Sequence, residues 1–245
     1  MTLVTLRDSS RVGLCSAHWY RSAMAASARA FVLHHTRLRP VPGLEEVRLH
    51  LADAALPLWH AVQIETHDPD AALPYWAFAW AGGLAISRYL RDHPETVAGR
   101  RVFDLASGSG LCALAAMHAG AAEATGSDID PLAAAAIELN ARANGRRVSV
   151  VRRDVLEDEP PEVDVILAGD CWYEAELAGR VLPWLRRARN LGIRVFVGDP
   201  GRRYLPVDEL VELAAYEVRT TTELEDLELK HGLVYAMRPA VEFSD

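Results

Sequence analysis

Lysine is almost absent from this 245-residue sequence: all 26 basic residues except Lys230 are arginine. So general a preference reflects codon usage more simply than chemistry, and it assigns no site. Cysteine is also sparse. Cys15, Cys112 and Cys171 form no CxxC pair and no Cys/His metal spacing, which excludes a disulfide framework and points to a reducing, cytoplasmic compartment. The nine histidines are scattered, and the adjacent His34 and His35 point to different sides of a helix instead of chelating as an i, i+4 pair would. No metal is expected. No apolar run approaches the ~20 residues of a membrane-spanning helix, so no membrane partner is expected either. Excess positive charge is missing too, because the formal net charge is −8. That balance opposes the basic field a nucleic-acid binder needs.

What remains is half hydrophobic and 24% charged, the balance of a soluble globular chain of one generous domain or two small ones. Residues 1–29 stand apart: Arg7, Arg11, Arg21 and Arg29 with several serines and a single acid, Asp8. This stretch lacks the period of a core element and reads as an extension, either disordered or upstream of a true start at Met24. If it is instead a transit peptide, the destination is the mitochondrial matrix.

Residues 30–245 read as one domain, with an annex over 30–92 and a core over 93–239. In the annex, the spacing predicts a short helix from Met24 to Arg37, an edge strand at Glu46–Leu51, and helices at Pro57–Thr66 and Leu84–Asp92. Between the last two lies an aromatic stretch, residues 73–83. Past His93-Pro94 the rhythm changes. Short apolar runs at Arg101–Leu105, Ala122–Ser127, Val148–Arg152, Val163–Ala168 and Ile193–Val197 alternate with helical patterns. Those helices are Leu111–Ala119, Pro131–Asn144, Glu174–Arg189 and Val207–Ala215. Such alternation means βαβ units and a parallel sheet buried on both faces. Tyr216–Glu225 and Leu233–Met237 then read as strands joined at His231-Gly232, too close for a crossover and hence antiparallel.

The segment that carries chemistry is RVFDLASGSGL, residues 101–111. A strand runs into Asp104, a small-residue loop follows, and a helix opens near Leu111. Gly108 to Ala113 fits the GxGxxA dinucleotide fingerprint, with Asp128 20 residues after Gly108. An NAD-dependent oxidoreductase is one reading. Asp104 opposes it, since a carboxylate there would repel a pyrophosphate seated at the helix N-terminus. It would attract a ligand bearing an ammonium and a sulfonium, as S-adenosylmethionine does. Asp128, ending the second strand, can accept from both ribose hydroxyls. Asp130-Pro131 is a helix start in its own right. Asp154, followed by Val155 and Leu156, closes the third strand. It can serve the adenine amino group or be a surface acid in a charged turn.

With these residues in place, residues 73–239 resemble the class I (seven-β-strand) methyltransferases. More narrowly they resemble the protein-lysine methyltransferases that modify the β subunit of electron transfer flavoprotein. The resemblance rests on PYWAFAWAGG (74–83), SDIDP (127–131), GDCWY (169–173) and GDPGR (198–202). It implies an α/β fold: a Rossmann-like, mostly parallel sheet with an antiparallel C-terminal strand pair and an N-terminal helical annex. It implies S-adenosyl-L-methionine as cofactor, held by Trp80, Asp104, Ala106, Ser107, Gly108, Gly110, Asp128, Asp154, Val155, Leu156 and Gly169. Asp170 and Tyr173, the Asp-x-x-Tyr pair, are the implied catalytic residues, with electron transfer flavoprotein β the implied protein substrate.

The loop departs from the family pattern at Ala106, where a glycine is usual. A methyl group there requires negative φ. Trp76, Phe78 and Trp80 share one side only if their segment is extended; Phe78 and Trp172 read as packing. Asp199 and Arg202 are expected to form an ion pair at the rim, contact a substrate, or simply build a turn. A small-molecule methyltransferase and a non-catalytic binding module remain as alternative functions on the same fold.

Overall fold

The computed structural model describes residues 26–219 and 229–239. The first 25 residues, and with them most of the expected extension and Cys15, lie outside the described residues. Helix α1 already runs over 26–35, and Arg29 within it pairs with Glu138 at 2.6 Å.

Beyond α1, the annex holds β1 (Arg37–Val41), β2 (Leu44–Leu51), α2 (Ala55–Thr66) and α3 (Ala81–Asp92). The expected annex was helical with one edge strand; it contains a two-stranded antiparallel hairpin instead. The helix expected to reach Arg37 stops at 35, and RLRPV becomes β1. Pro40 is accommodated because an edge strand tolerates a missing donor. Helix α3 begins three residues earlier than expected, with Gly82 and Gly83 inside its first turn.

The core follows as β3 (Arg101–Leu105), α4 (Leu111–His118), β4 (Glu123–Asp128), α5 (Pro131–Ala143), β5 (Ser149–Arg152), β6 (Val165–Gly169), α6 (Ala175–Asn190), β7 (Arg194–Asp199), β8 (Leu210–Arg219) and β9 (Leu229–Met237). One seven-stranded sheet runs β5-β4-β3-β6-β7-β9-β8. The first five strands are parallel neighbours, and β9 lies antiparallel to both β7 and β8. Alternate residues serve the two faces. Phe103, Leu105, Ile166, Ala168, Val195 and Val197 pack with α6 residues such as Trp184 and Leu185. Val102, Val165, Leu167 and Phe196 meet Ile86 and Leu90 of α3 and Cys112 and Ala115 of α4. The strands read as continuous apolar runs because both faces are covered.

Two expectations at the C-terminal end fail. Val207–Ala215 is not a helix: a single 3₁₀ turn at Val207–Glu209 leads directly into β8. His231-Gly232 is not a turn but the middle of β9, with Gly232 opposite Tyr216. Its glycine serves a close approach, since a Cβ there would lie 2.6 Å from the Ala81 carbonyl oxygen of α3. Part of the expected Tyr216–Glu225 strand falls in 220–228, outside the described residues. The antiparallel pairing itself is present.

Candidate active site

The carboxyl ends of β3, β4, β6 and β7 gather the loops that hold the expected residues, as open α/β sheets do. After β3 the chain turns sharply. Ala106 has φ +50°, Gly108 φ +53° and Gly110 φ +83°. The negative φ that an alanine wants is therefore not met, and Ala106 carries left-handed strain of about 1–2 kcal/mol.

The loop's own donors are largely spoken for. The Ser107 N–H donates to Ser127 O at 2.8 Å and the Gly110 N–H to Ser107 O at 2.8 Å. Gly108 N–H donates to Asp128 Oδ2 at 2.9 Å, and Ala113 N–H, in the first turn of α4, to Asp104 Oδ2 at 3.0 Å. A pyrophosphate would find these amides already turned to protein acceptors and two carboxylates facing it. The dinucleotide reading does not fit.

Asp104 is buried, 2% exposed. Burial pushes its carboxyl up to about 7, against hydrogen bonds from Ser107 Oγ at 2.5 Å and Ala113 N–H that favour the charged form. Both bonds fall on Oδ2, which leaves Oδ1 for a ligand. Asp128 is also raised by burial, opposed by the Asp130 and Gly108 amides, which donate to its two oxygens. Beside it Ile129 is 71% exposed. Sequence reasoning passed over this residue, although an apolar side chain between two acids at a strand end was the available signal. Asp130 caps α5 through Leu132 N–H at 2.7 Å, with Pro131 in the first turn, as expected.

Asp154 is placed differently. Its Oδ1 accepts from Leu156 N–H at 3.0 Å, while Oδ2 pairs with Arg180 of α6 at 2.7 Å. The Arg180 hydrogen bond holds this carboxyl below its ordinary range. That arrangement matches the surface-acid alternative. Val155 is buried and Leu156 packs against the same core.

Asp170 follows Gly169, the last residue of β6, and has φ +59°. Its carboxylate reaches 88 residues back along the chain to cap α3. Oδ1 accepts from Gly82 N–H at 3.1 Å and Oδ2 from Gly83 N–H at 2.7 Å. The helix has no side-chain cap of its own, because Trp80 occupies the N-cap position. Arg202 Nη1 lies 2.6 Å from Asp170 Oδ1 and 3.0 Å from Asp199 Oδ2. Asp199 is fully buried and its Oδ1 accepts from the Gly201 and Arg202 amides at 2.8 and 2.6 Å. The GDPGR segment is thus both a turn and an ion pair.

Aromatic rings complete the mouth. Residues Tyr75–Ala77 form a 3₁₀ turn, so the stretch is not extended and its tryptophans do not line one side. Trp76 and Phe78 are buried with Phe31, Leu58 and Ala133, and Trp172 is buried in the sheet core. Trp80 donates its indole N–H to Tyr75 O at 2.8 Å. The Tyr75 ring sits 5.5 Å from Trp80 and 5.3 Å from Tyr173, which is 40% exposed. Tyr75 was missed because nothing in the sequence distinguishes it from its buried neighbours. The Cys112 and Cys171 thiols are buried, and burial raises both out of the nucleophilic range.

Residues 89–169 match the family described as ribosomal protein L11 methyltransferase (PrmA). An electron transfer flavoprotein beta subunit lysine methyltransferase from Xenopus laevis is 36% identical over 221 residues, covering 88% of this chain and 89% of its own length. The chain belongs to the electron transfer flavoprotein β-subunit lysine methyltransferase family. The Homo sapiens member is 31% identical over 250 residues, 98% of this chain and 94% of that protein. Among solved structures, a ribosomal protein L11 methylase from Lactobacillus delbrueckii subsp. bulgaricus is similar at 21% identity and a TM-score of 0.49, covering 70% of this chain and 83% of that one. This family member is accordingly a class I protein-lysine methyltransferase, with a mostly parallel seven-stranded sheet. Among the described residues no helix is long and apolar enough to cross a membrane.

Proposed function

We propose that this enzyme transfers a methyl group from S-adenosylmethionine to a lysine side chain of the electron transfer flavoprotein β subunit. The observation that carries the reading is the likeness to a lysine methyltransferase of that substrate across nine-tenths of both chains, with the Asp170–Tyr173 pair at the end of β6.

The donor set suits the cofactor: one buried carboxylate, Asp104, and one half-buried, Asp128, an exposed isoleucine between strand and helix, and no basic residue in the loop from Asp104 to Ala113. Asp104 and the 106–110 loop would hold the methionine end. Asp128 would take the ribose, and Ile129 with Val155 the adenine face, Trp80 being tied to Tyr75 by its indole N–H. Asp154, paired with Arg180, would serve the adenine through its remaining lone pairs. The cofactor, when bound, supplies an electrophilic methyl on a sulfonium.

The chain's own part is to bring an amine to that carbon and exclude water. A free lysine has a pKa of ~10.4, so the reacting amine must first lose a proton. Asp170 Oδ2 can accept a hydrogen bond from the amine N–H. The Tyr75 and Tyr173 rings flank the lysine stem and give an electron-rich surface for its methylated forms.

Incubation with labelled S-adenosylmethionine and the cognate flavoprotein β subunit tests this directly. Label is expected on lysine, falling by about 100-fold or more in Asp170→Asn and about 10-fold in Tyr75→Ala. An unlabelled flavoprotein beside another labelled protein would correct the substrate. Label only on small molecules would overturn the protein assignment.

A further inference from the structure

Around the end of β6 one guanidinium serves two carboxylates. Arg202 Nη1 touches both Asp170 and Asp199, whose side chains are 13% and 0% exposed. The trio carries one negative charge in a mostly dry setting. If Asp170 were to receive a lysine as an ammonium ion, the natural arrangement would leave that carboxylate unpaired and waiting. Instead it shares one guanidinium with Asp199, so its charge is partly offset, and its backbone sits in the left-handed region.

An ammonium has no lone pair and cannot accept a methyl group. A site that welcomes the ammonium strongly therefore stabilises the unreactive form of its substrate. We propose that Arg202 is a positioning residue that favours the neutral acceptor lysine: by offsetting part of the Asp170 charge, it leaves that carboxylate able to accept a hydrogen bond from an amine N–H while weakening the ion pair that would retain the proton. The inference rests on the methyl-transfer reading of the site. The proton leaves to solvent before the amine docks, and no covalent step involves Arg202.

The groups facing that position come from every neighbouring element. Asp170 and Asp199 stand at the ends of β6 and β7, Arg202 follows β7, and Glu174 opens α6. Tyr75 and Tyr173 feel Glu174, and Arg202 acts on Tyr75 in the opposite sense. Cys112 of α4 lies in the field of Asp104 and Asp170 and stays neutral. Arg202 is therefore the cation of this cluster nearest Asp170. At ~6–12 Å and an effective dielectric of ~20, one charge moves an amine's titration by roughly one to two pH units.

The test is the pH dependence of the single-turnover methylation rate at saturating enzyme and cofactor, so that product release does not mask the chemistry. Arg202→Met adds a net negative charge, and the rising limb should move up by roughly one to two pH units. Below the limb the rate then falls by roughly 10- to 100-fold and recovers at high pH. Arg202→Lys keeps the charge and should leave the limb in place. Asp199→Asn removes a negative charge without touching the substrate, and the limb should move down. A downward shift cannot come from damage, so Asp199→Asn shows whether the charge of this cluster sets the limb even if Arg202→Met folds poorly, and Arg202→Lys against Arg202→Met assigns the part of Arg202. Equal loss at every pH, or a limb that ignores both charge changes, would overturn the role of Arg202. A wild-type enzyme that labels no lysine would instead remove the underlying reading.

Discussion

Ala106 and Asp170 show how much local strain the site holds. Both are non-glycine residues at positive φ, and both stand beside groups that face the cleft. Ala106 is exposed and at φ +50°, so glycine should relieve it. Ala106→Gly is expected to stabilise the fold by about 0.5–1 kcal/mol, the relief of strain being partly offset by the freer unfolded chain. Urea denaturation measures this, and a loss of stability would show that Ala106 is not strained.

Asp104 makes a second prediction at the same scale. Its folded carboxyl is raised to about 7 by burial, above the ~3.9 of an unfolded chain. Between those values the folded state binds more protons, so stability falls as pH rises. The contribution is complete below about 4 and lost through about 7, on the order of a few kcal/mol. Asp104→Asn should flatten that slope, which parallel denaturation series at pH 4.5 to 7.5 would reveal.

At the scale of elements, α3 is the member whose glycines are set by contact. A Cβ on Gly82 would lie 2.2 Å from the Gly198 carbonyl oxygen, backbone that cannot step aside. Gly82→Ala should therefore destabilise by about 2 kcal/mol or more, although alanine is the better helix former by about 1 kcal/mol. Gly179 in α6 meets nothing within 4 Å of its added Cβ. Gly179→Ala should gain about 0.5–1 kcal/mol. Opposite signs in thermal melts for the same substitution would separate packing from propensity.

The parallel strands were legible because burial on both faces turns them into apolar runs, and Asp130-Pro131 announced α5 through cap chemistry. The first part of β8, before Tyr216, was not legible. Leu210, Val211, Leu213 and Ala214 carry a helical spacing, and only pairing with β9, across a bulge between Glu212 and Ala214, makes them a strand. The carboxylates at strand ends could be read from the sequence, but not their partners. Asp154 and Arg180 are 26 residues apart, and Asp170 and Gly82 are 88. Such pairs are created by the topology and leave no local pattern.

Taken whole, the molecule presents a cleft whose charge is negative and whose loop amides are consumed. S-adenosylhomocysteine should raise the melting temperature with increasing concentration, by the equivalent of about 2.7 kcal/mol at 100 times its Kd. NAD at the same concentrations should leave it unchanged. A comparable rise with NAD would mean that the loop reorganises to accept phosphate.

The reach of Asp170 back to α3 also bears on how the chain is born. Synthesis proceeds from the N-terminus at roughly 5–20 residues per second. Helix α3 thus leaves the ribosome roughly 4 to 18 seconds ahead of the carboxylate that caps it, 88 residues later. Arg202 follows after a further 32. Throughout that interval the first turn of α3, with two glycines and no side-chain cap of its own, has nothing to hold it wound. The annex and the sheet cannot mature as separate units, and the cleft exists only once β7 and its turn have been made.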